Sequence, residues 1–126
     1  MSFTVTKEET YSLITLTKDS LSAAKADKLK SECVKLIKGN PFIIMNCKAL
    51  TGISKDEKDL LISLEHLAKR TSGSIILTEL HDDMIEMMEK EGVNCVPTDD
   101  EAVDFIFMEQ IENQFVDDDD DDDDDY

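Results

Sequence analysis

Glycine and histidine are both scarce in this chain of 126 residues, which contains four glycines and two histidines. The glycines are scattered along the sequence, so there is no glycine-rich loop of the kind that cradles phosphates. His66 and His81 have no second histidine or cysteine at a metal-ligand spacing, and no cysteine lies near a histidine in the sequence. We therefore expect neither an enzyme nor a bound metal or cofactor.

Basic residues and long apolar runs are also scarce. Lysine and arginine number 13 against 30 aspartates and glutamates, and no basic stripe is present to bind nucleic acid. No apolar run approaches the roughly 18 residues of a transmembrane helix, and the N-terminus lacks the pattern of a signal peptide. The three cysteines are odd in number and widely spaced, which indicates reduced thiols. These features predict a cytoplasmic protein that binds neither nucleic acid nor a membrane.

The net charge of −17 is concentrated at the C-terminus, where Asp117 to Asp125 is an unbroken run of nine aspartates. A segment with so much charge has nothing to bury. We therefore predict one domain of residues 1–114 and a disordered aspartate tail of residues 115–126. The tail either keeps the protein in solution, captures a basic partner, or binds Ca²⁺ or Mg²⁺ weakly through its carboxylates.

Apolar patterning predicts strands and helices over the first 114 residues. Phe3–Thr6 and Tyr11–Leu16 have the composition and alternation of strands. Phe42–Met45 is apolar without alternation, as in a strand that is buried on both faces. Helical spacing of apolar residues occurs on both sides of that strand, at Ala26, Leu29, Cys33, Leu36 and Ile37 and again at Leu60, Leu61, Leu64, Leu67 and Ala68.

Strands and helices alternate after an opening hairpin, and this order predicts a central sheet covered by helices through right-handed crossovers. The predicted fold class is α/β, with a mixed, mostly parallel sheet of about five strands and about four helices. In such folds, function is concentrated in loops beyond the carboxyl ends of the strands. The loop from Cys47 to Asp56 is such a place.

The segment FIIMNCKALTGISKDEKDLLISLEHLAKRTSGSIILTEL resembles the STAS domain, the fold of bacterial anti-anti-sigma factors. That family has a buried strand, a short loop, the motif D-S-S-G-L-G at the start of a helix, a turn containing G-G and another strand. The spacing here is the same throughout, and Ser72-Gly73 stands at the G-G turn. HDDMIEMMEKEGVNCVPTDDEAVDFI is also similar to the closing part of the family, so the resemblance covers roughly Phe3 to Glu112.

The motif itself is altered in this chain. In register, Ser54 replaces the motif aspartate, and Lys55 replaces the serine that is phosphorylated in the family. Asp56, Glu57 and Asp59 replace the second serine and both glycines. Lys55 cannot accept a phosphate as a serine does, so the resemblance implies a protein-binding regulatory module that lacks the usual serine phospho-switch.

The sequence alone leaves three interpretations of the stretch TGISKDEKDLL open. Ser54 and Glu57 suit a capping box, a structural role typically worth about 0.5–2 kcal/mol. Alternatively, Ser54 is itself a phosphorylation site, and its phosphate would repel Asp56 and Glu57 and disrupt the cap. In the third interpretation, Lys55 places a permanent cation at the switch position and fixes one partner-binding state.

The predicted partner-binding surface combines the loop after the second strand with the start of the second helix. Its residues are Asp19, Ser20, Gly52, Ser54, Lys55, Asp56 and Lys58. By resemblance, the partner is a kinase-like anti-sigma factor or another signalling protein of a bacterium. The last helix, predicted from about Asp99 to Gln114, is apolar over a wider face than one buried stripe needs. A homodimer or an assembly role through this helix is therefore an alternative.

Overall fold

The computed structural model describes residues 3–17 and 25–123, with the side chains of the last helix described as far as Ile111. The strands are β1 (Phe3–Lys7), β2 (Ser12–Leu16), β3 (Phe42–Asn46), β4 (Ser74–Thr78) and β5 (Asn94–Val96). The helices are α1 (Ala26–Gly39), α2 (Lys55–Arg70), α3 (Asp82–Glu89) and α4 (Asp99–Asp123). These elements confirm the predicted α/β fold class with its mixed, mostly parallel sheet.

The strands form a sheet in the order β1-β2-β3-β4-β5. β1 and β2 are an antiparallel hairpin, and the later neighbours pair in parallel. Successive parallel strands step in one direction across the sheet, so right-handed crossovers place α1, α2 and α3 on the same face. α4 follows β5 and covers the opposite face.

Alternate residues of β3 and β4 contribute to two cores, one on each face of the sheet. The core under α1, α2 and α3 receives Ile43, Met45, Ile75 and Leu77 from these strands. The core under α4 receives Phe42, Ile44 and Ile76. Because the two strands are covered on both faces, their sequences show no alternation of apolar and polar residues.

The backbone of α4 continues to Asp123, beyond its predicted end at Gln114. The division into a domain of residues 1–114 and a disordered tail of residues 115–126 stays a prediction. Within residues 3–17 and 25–123, no helix combines the length and the apolar character needed to cross a membrane.

The turn between α2 and β4 combines a left-handed residue with a close approach of two backbones. Ser72 has a φ of +66°, which costs a residue with a side chain roughly 1–2 kcal/mol. Its N–H donates to the carbonyl of Lys69 at 3.0 Å, and the N–H of Gly73 donates to that of Ala68 at 2.8 Å, the Schellman pattern of helix ends. A Cβ on Gly73 would overlap the carbonyl oxygen of Pro41, so this position requires glycine.

We expect Ser72→Gly to raise the free energy of unfolding by up to about 1 kcal/mol. Glycine adopts the left-handed conformation without steric cost, although it loses more backbone entropy on folding. Denaturant unfolding measures the difference. Ser72→Ala is the matched control, because it removes the hydroxyl but keeps Cβ, and it should not stabilise the fold. A lower free energy of unfolding in Ser72→Gly would contradict strain at this turn.

Glu65 is a buried carboxylate on α2 that contacts the start of β4. The residue is 3% exposed, and its Oε1 accepts the N–H of Ile75 at 2.7 Å. β5 pairs with β4 only from Ile76 to Thr78, so Glu65 supplies an acceptor that the short edge strand does not. Its Oε2 accepts no hydrogen bond from the described residues and lies 3.8 Å from Nζ of Lys69. Burial raises the pKa of Glu65, and the Ile75 hydrogen bond and Lys69 offset only part of that effect.

Glu65→Gln keeps an acceptor for the Ile75 N–H and removes the ionisable group. A pKa raised by folding means that stability is lost as the pH rises above the unfolded pKa of about 4.3. We therefore expect Glu65→Gln to gain stability relative to wild type as the pH rises from about 4 to about 7, as measured by denaturant unfolding.

Glu65→Leu is the control for the hydrogen bond. It leaves the Ile75 N–H without this acceptor and should be about 1–3 kcal/mol less stable than Glu65→Gln at both pH values, because neither variant ionises at this position. If the difference between Glu65→Gln and wild type does not change with pH, the pKa of Glu65 is the same in the folded and the unfolded chain, which would contradict a raised pKa in the folded state.

Candidate partner-binding surface

The loop between β3 and α2 is fixed to the sheet at its base. The N–H of Cys47 donates to the carbonyl of Thr78 at 2.8 Å, and the N–H of Leu50 donates to the carbonyl of Cys47 at 3.0 Å. The side chains of Cys47 and Leu50 are buried. Gly52 is exposed, and no atom lies within 4 Å of the place that a Cβ would occupy there. The loop therefore presents its outer part to solvent from a well-anchored base.

Ser54 ends the loop and caps α2. Its N–H donates to Oε1 of Glu57 at 2.8 Å, and its Oγ accepts the N–H of Glu57 at 3.2 Å. Both halves of the predicted capping box are thus present, and this structural prediction is confirmed. Asp56 and Glu57 lie in the first turn, where carboxylates interact favourably with the helix dipole. An anion arriving here would have to displace Glu57 from the N–H of Ser54.

The two lysines in the first turns of α2 have different surroundings. The side chain of Lys55 is 84% exposed, and its Nζ lies 3.5 Å from Oδ2 of Asp59. Such exposed pairs contribute little to stability. Lys58 is less exposed, and its Nζ lies 3.6 Å from Oε2 of Glu91, which joins α2 to the turn after α3. Lys55 is therefore accessible to a partner, whereas Lys58 also holds two elements together.

The described part of the predicted surface is continuous. Gly52, Ser54, Lys55 and Asp56 are all exposed and follow one another from the loop into the first turn of α2. β2 and β3 are parallel neighbours, so the chain leaves both strands at the same edge of the sheet. Asp19 and Ser20, the two predicted residues after β2, lie outside the described residues.

A polar cluster that sequence reasoning missed lies at this same edge. Nδ2 of Asn46 donates to both carboxylate oxygens of Asp99 at 3.1 Å, and Oγ1 of Thr78 donates to Oδ1 of Asp99 at 2.5 Å. Oδ1 of Asn46 also accepts the N–H of Lys48 at 3.0 Å. Because Asp99 is the first residue of α4, the cluster joins the β3–α2 loop to that helix.

The sequence does contain a signal for this cluster. Asn46 and Thr78 are the last residues of two strands that are otherwise almost entirely apolar, and they are register partners. A polar residue at the carboxyl end of each of two neighbouring parallel strands indicates a site at that edge.

The cysteines of this protein are free thiols. Burial is the main cause that raises the pKa of Cys33, Cys47 and Cys95 to about 12 each. The thiolate is the nucleophilic and metal-binding form, so burial disfavours the reactive form of these thiols. Among the residues that the structure describes, no three histidine, cysteine, aspartate or glutamate side chains converge to hold a metal ion.

Several solved structures share this architecture. A variant of RsbS from Moorella thermoacetica has a TM-score of 0.71 at 14% identity, over 84% of this chain and 95% of that chain. The anti-sigma factor antagonist SpoIIAA in its unphosphorylated form has a TM-score of 0.69 at 18% identity, over 82% and 96%. A chain of the stressosome, a signal integration and transduction hub, has a TM-score of 0.67 at 15% identity, over 82% and 95%. This chain has the STAS fold.

The similarity to STAS structures is one of fold, because all these identities are low. No family model matches the sequence, and no curated protein matches it significantly. The fold nevertheless confirms the resemblance to the STAS domain that the sequence shows. The altered motif at Ser54 and Lys55, which departs from the STAS pattern, stays a prediction.

We expect Ser54→Ala to lower the free energy of unfolding of this domain by about 1 kcal/mol, because it removes the acceptor for the Glu57 N–H. Denaturant unfolding measures the loss. Ser54→Asp is the matched control, since its carboxylate is also a good N-cap acceptor and should retain most of the stability. Equal stabilities for Ser54→Ala and wild type would show that the capping box contributes nothing.

Proposed function

We propose that this chain is a regulatory protein-binding module that contacts its partner through the β3–α2 loop and the first turn of α2. The observation that carries the proposal is the position of Lys55. Its side chain is almost fully exposed at the first residue of α2, where the resemblance places the phosphorylated serine of the family.

A lysine at this position gives the surface a charge that phosphorylation cannot change. The capping box of Ser54 and Glu57 fixes the backbone around it, and the polar cluster of Asn46 fixes the start of the loop. The surface is therefore preformed, which lowers the entropic cost of binding. We infer that it has one binding state and lacks the usual serine phospho-switch.

The structural similarities support a proposal for the class of partner. The similar proteins include an anti-sigma factor antagonist and a stressosome component. By likeness, we propose a kinase-like anti-sigma factor or another signalling protein as the partner, in the cytoplasm of a bacterium. The described residues offer neither a reactive thiol nor a metal-binding cluster, which supports binding rather than catalysis.

Phosphorylation of Ser54 is the first alternative. The residue is exposed, and a helix N-terminus favours phosphate. However, Oγ of Ser54 accepts the N–H of Glu57, and phosphorylation would disrupt this hydrogen bond. A phosphate, with a charge of about −1.5 to −2 at neutral pH, would also repel Asp56 and Glu57. Phosphorylation would then release the partner by opening the start of α2.

Assembly into a homodimer through α4 is the second alternative. Phe107 and Met108 are 60% and 55% exposed on this helix, and exposed apolar groups of this size are common in interfaces. Light scattering at high protein concentration tests the idea, because a strict monomer would exclude it.

We expect Lys55→Glu to weaken partner binding at least about tenfold without unfolding the domain, since it reverses an exposed charge in the proposed contact. Affinity capture from the native host with mass spectrometry identifies the partner, and calorimetric titration then measures the affinity. Lys38→Glu is the matched control, because Lys38 is exposed in the last turn of α1 and lies away from the carboxyl edge of the sheet.

Two outcomes would contradict parts of this proposal. If Lys55→Glu and wild type capture the partner equally, Lys55 is not in the contact. If mass spectrometry finds phosphate on Ser54 and the phosphorylated chain no longer captures the partner, the phospho-switch replaces the fixed state. Circular dichroism confirms that each variant is folded.

A further inference from the structure

α4 is apolar on more than the face that it buries. Ala102 and Ile106 are buried against the strands. Phe105 is half-buried beside them, and Met108 remains 55% exposed. The described side chains of α4 therefore present apolar surface to solvent next to the buried stripe.

This apolar surface is one wall of a groove between α4 and the edge strand β5. The groove has a volume of about 370 Å³ and is lined by Val96, Glu101, Asp104, Phe105 and Met108. A neighbouring cavity of about 380 Å³ continues along β5 and shares Val96 and Phe105 with it. The floor is thus apolar and extends along the edge of the sheet.

The rim of this groove is acidic. Glu101 and Asp104 line its first part, and Glu89 lines the second. No lysine or arginine of residues 3–17 or 25–111 lines either part. The surrounding sequence has the same sign, because residues 79–126 contain 21 aspartates and glutamates and a single basic residue, Lys90.

We propose that the groove between α4 and β5 is a docking site for a basic amphipathic helix of a partner protein. The apolar face of such a helix packs on Val96, Phe105 and Met108, as in other helix-in-groove complexes. Its lysines and arginines meet Glu89, Glu101 and Asp104 at the rim. The charge of the tail raises the rate of encounter with a basic segment, an effect that salt screens.

Charge decides against the other occupants of this groove. A second copy in a symmetric contact would bring one acidic rim against another, and like charges across an interface are costly. Nucleic acids and anionic membranes are repelled for the same reason. An added strand is less suitable than a helix, because β5 has only three residues and Pro97 follows it.

This docking site is separate from the surface proposed for partner binding. α2 packs on the face of the sheet that also carries α1 and α3, whereas α4 packs on the other face. The Lys55→Glu variant should therefore bind a groove ligand as wild type does, so failure of one proposal is distinguishable from failure of the other.

The test uses the full chain and two synthetic 18-residue amphipathic helical peptides as probes. One has leucines on its apolar face and lysines elsewhere, and the other has the same leucines with glutamates. We expect the lysine peptide to bind in fluorescence anisotropy at physiological salt and the glutamate peptide not to bind. Met108→Lys should weaken lysine-peptide binding at least tenfold, because it removes an apolar contact and adds a like charge.

Phe107→Lys is the matched control for Met108→Lys. It changes a similarly exposed apolar residue on the same helix by the same charge, but Phe107 does not line the groove. It should bind the lysine peptide within about twofold of wild type. When wild type is titrated with the lysine peptide, NMR should show changes in the amide chemical shifts of Val96 and Phe105.

Three results would overturn the proposal. If Met108→Lys and Phe107→Lys lose affinity for the lysine peptide equally, and if amide chemical shifts change only in the aspartate tail, the peptide binds the tail alone. If the lysine peptide does not bind at about 100 μM, a concentration comparable to the Kd of a weak complex, the groove does not accept such a helix. Self-association of wild type that Met108→Lys abolishes would assign the groove to a second copy.

Discussion

Burial of β3 and β4 on both faces is the constraint on which the rest of this structure depends. Two apolar strands side by side need cover above and below the sheet. The right-handed crossovers place α1, α2 and α3 on one face, so the other face is left to α4. α4 must start where β5 ends, at the carboxyl edge of the sheet. That requirement brings Asp99 to Asn46 and Thr78 and places the β3–α2 loop beside the start of α4.

Sequence patterns were sufficient where the interaction is local. The apolar run Phe42–Met45 predicted a buried strand, and the spacing of Ser54 and Glu57 predicted a capping box, because both depend on near neighbours in the chain. The contact of Asn46 with Asp99 spans 53 residues and required the register of the sheet. The exposed fraction of Met108 likewise depends on how α4 is rotated against the sheet. The sequence indicated only that the apolar face of this helix is wider than one buried stripe needs.

Glu65 shows a different limit of sequence reasoning. It occupies a position on the buried side of α2, but a charged residue on a helix is ordinarily expected at the surface. Its place in the core follows from the shortness of β5, which pairs with β4 only from Ile76 onward. A carboxylate from the covering helix then satisfies the N–H of Ile75. The short length of β5 thus explains why Glu65 on α2 has a buried structural role.

The uneven distribution of charge gives the two proposed surfaces opposite preferences. Residues 1–78 contain 12 basic and 9 acidic residues, whereas residues 79–126 are almost entirely acidic among their charged residues. The exposed cation Lys55 suits an acidic contact on the partner, and the groove beside Met108 suits a basic one. The two surfaces are built on different elements, because α2 packs on one face of the sheet and α4 on the other. The two proposals together describe a domain with one surface for an acidic contact and another for a basic one.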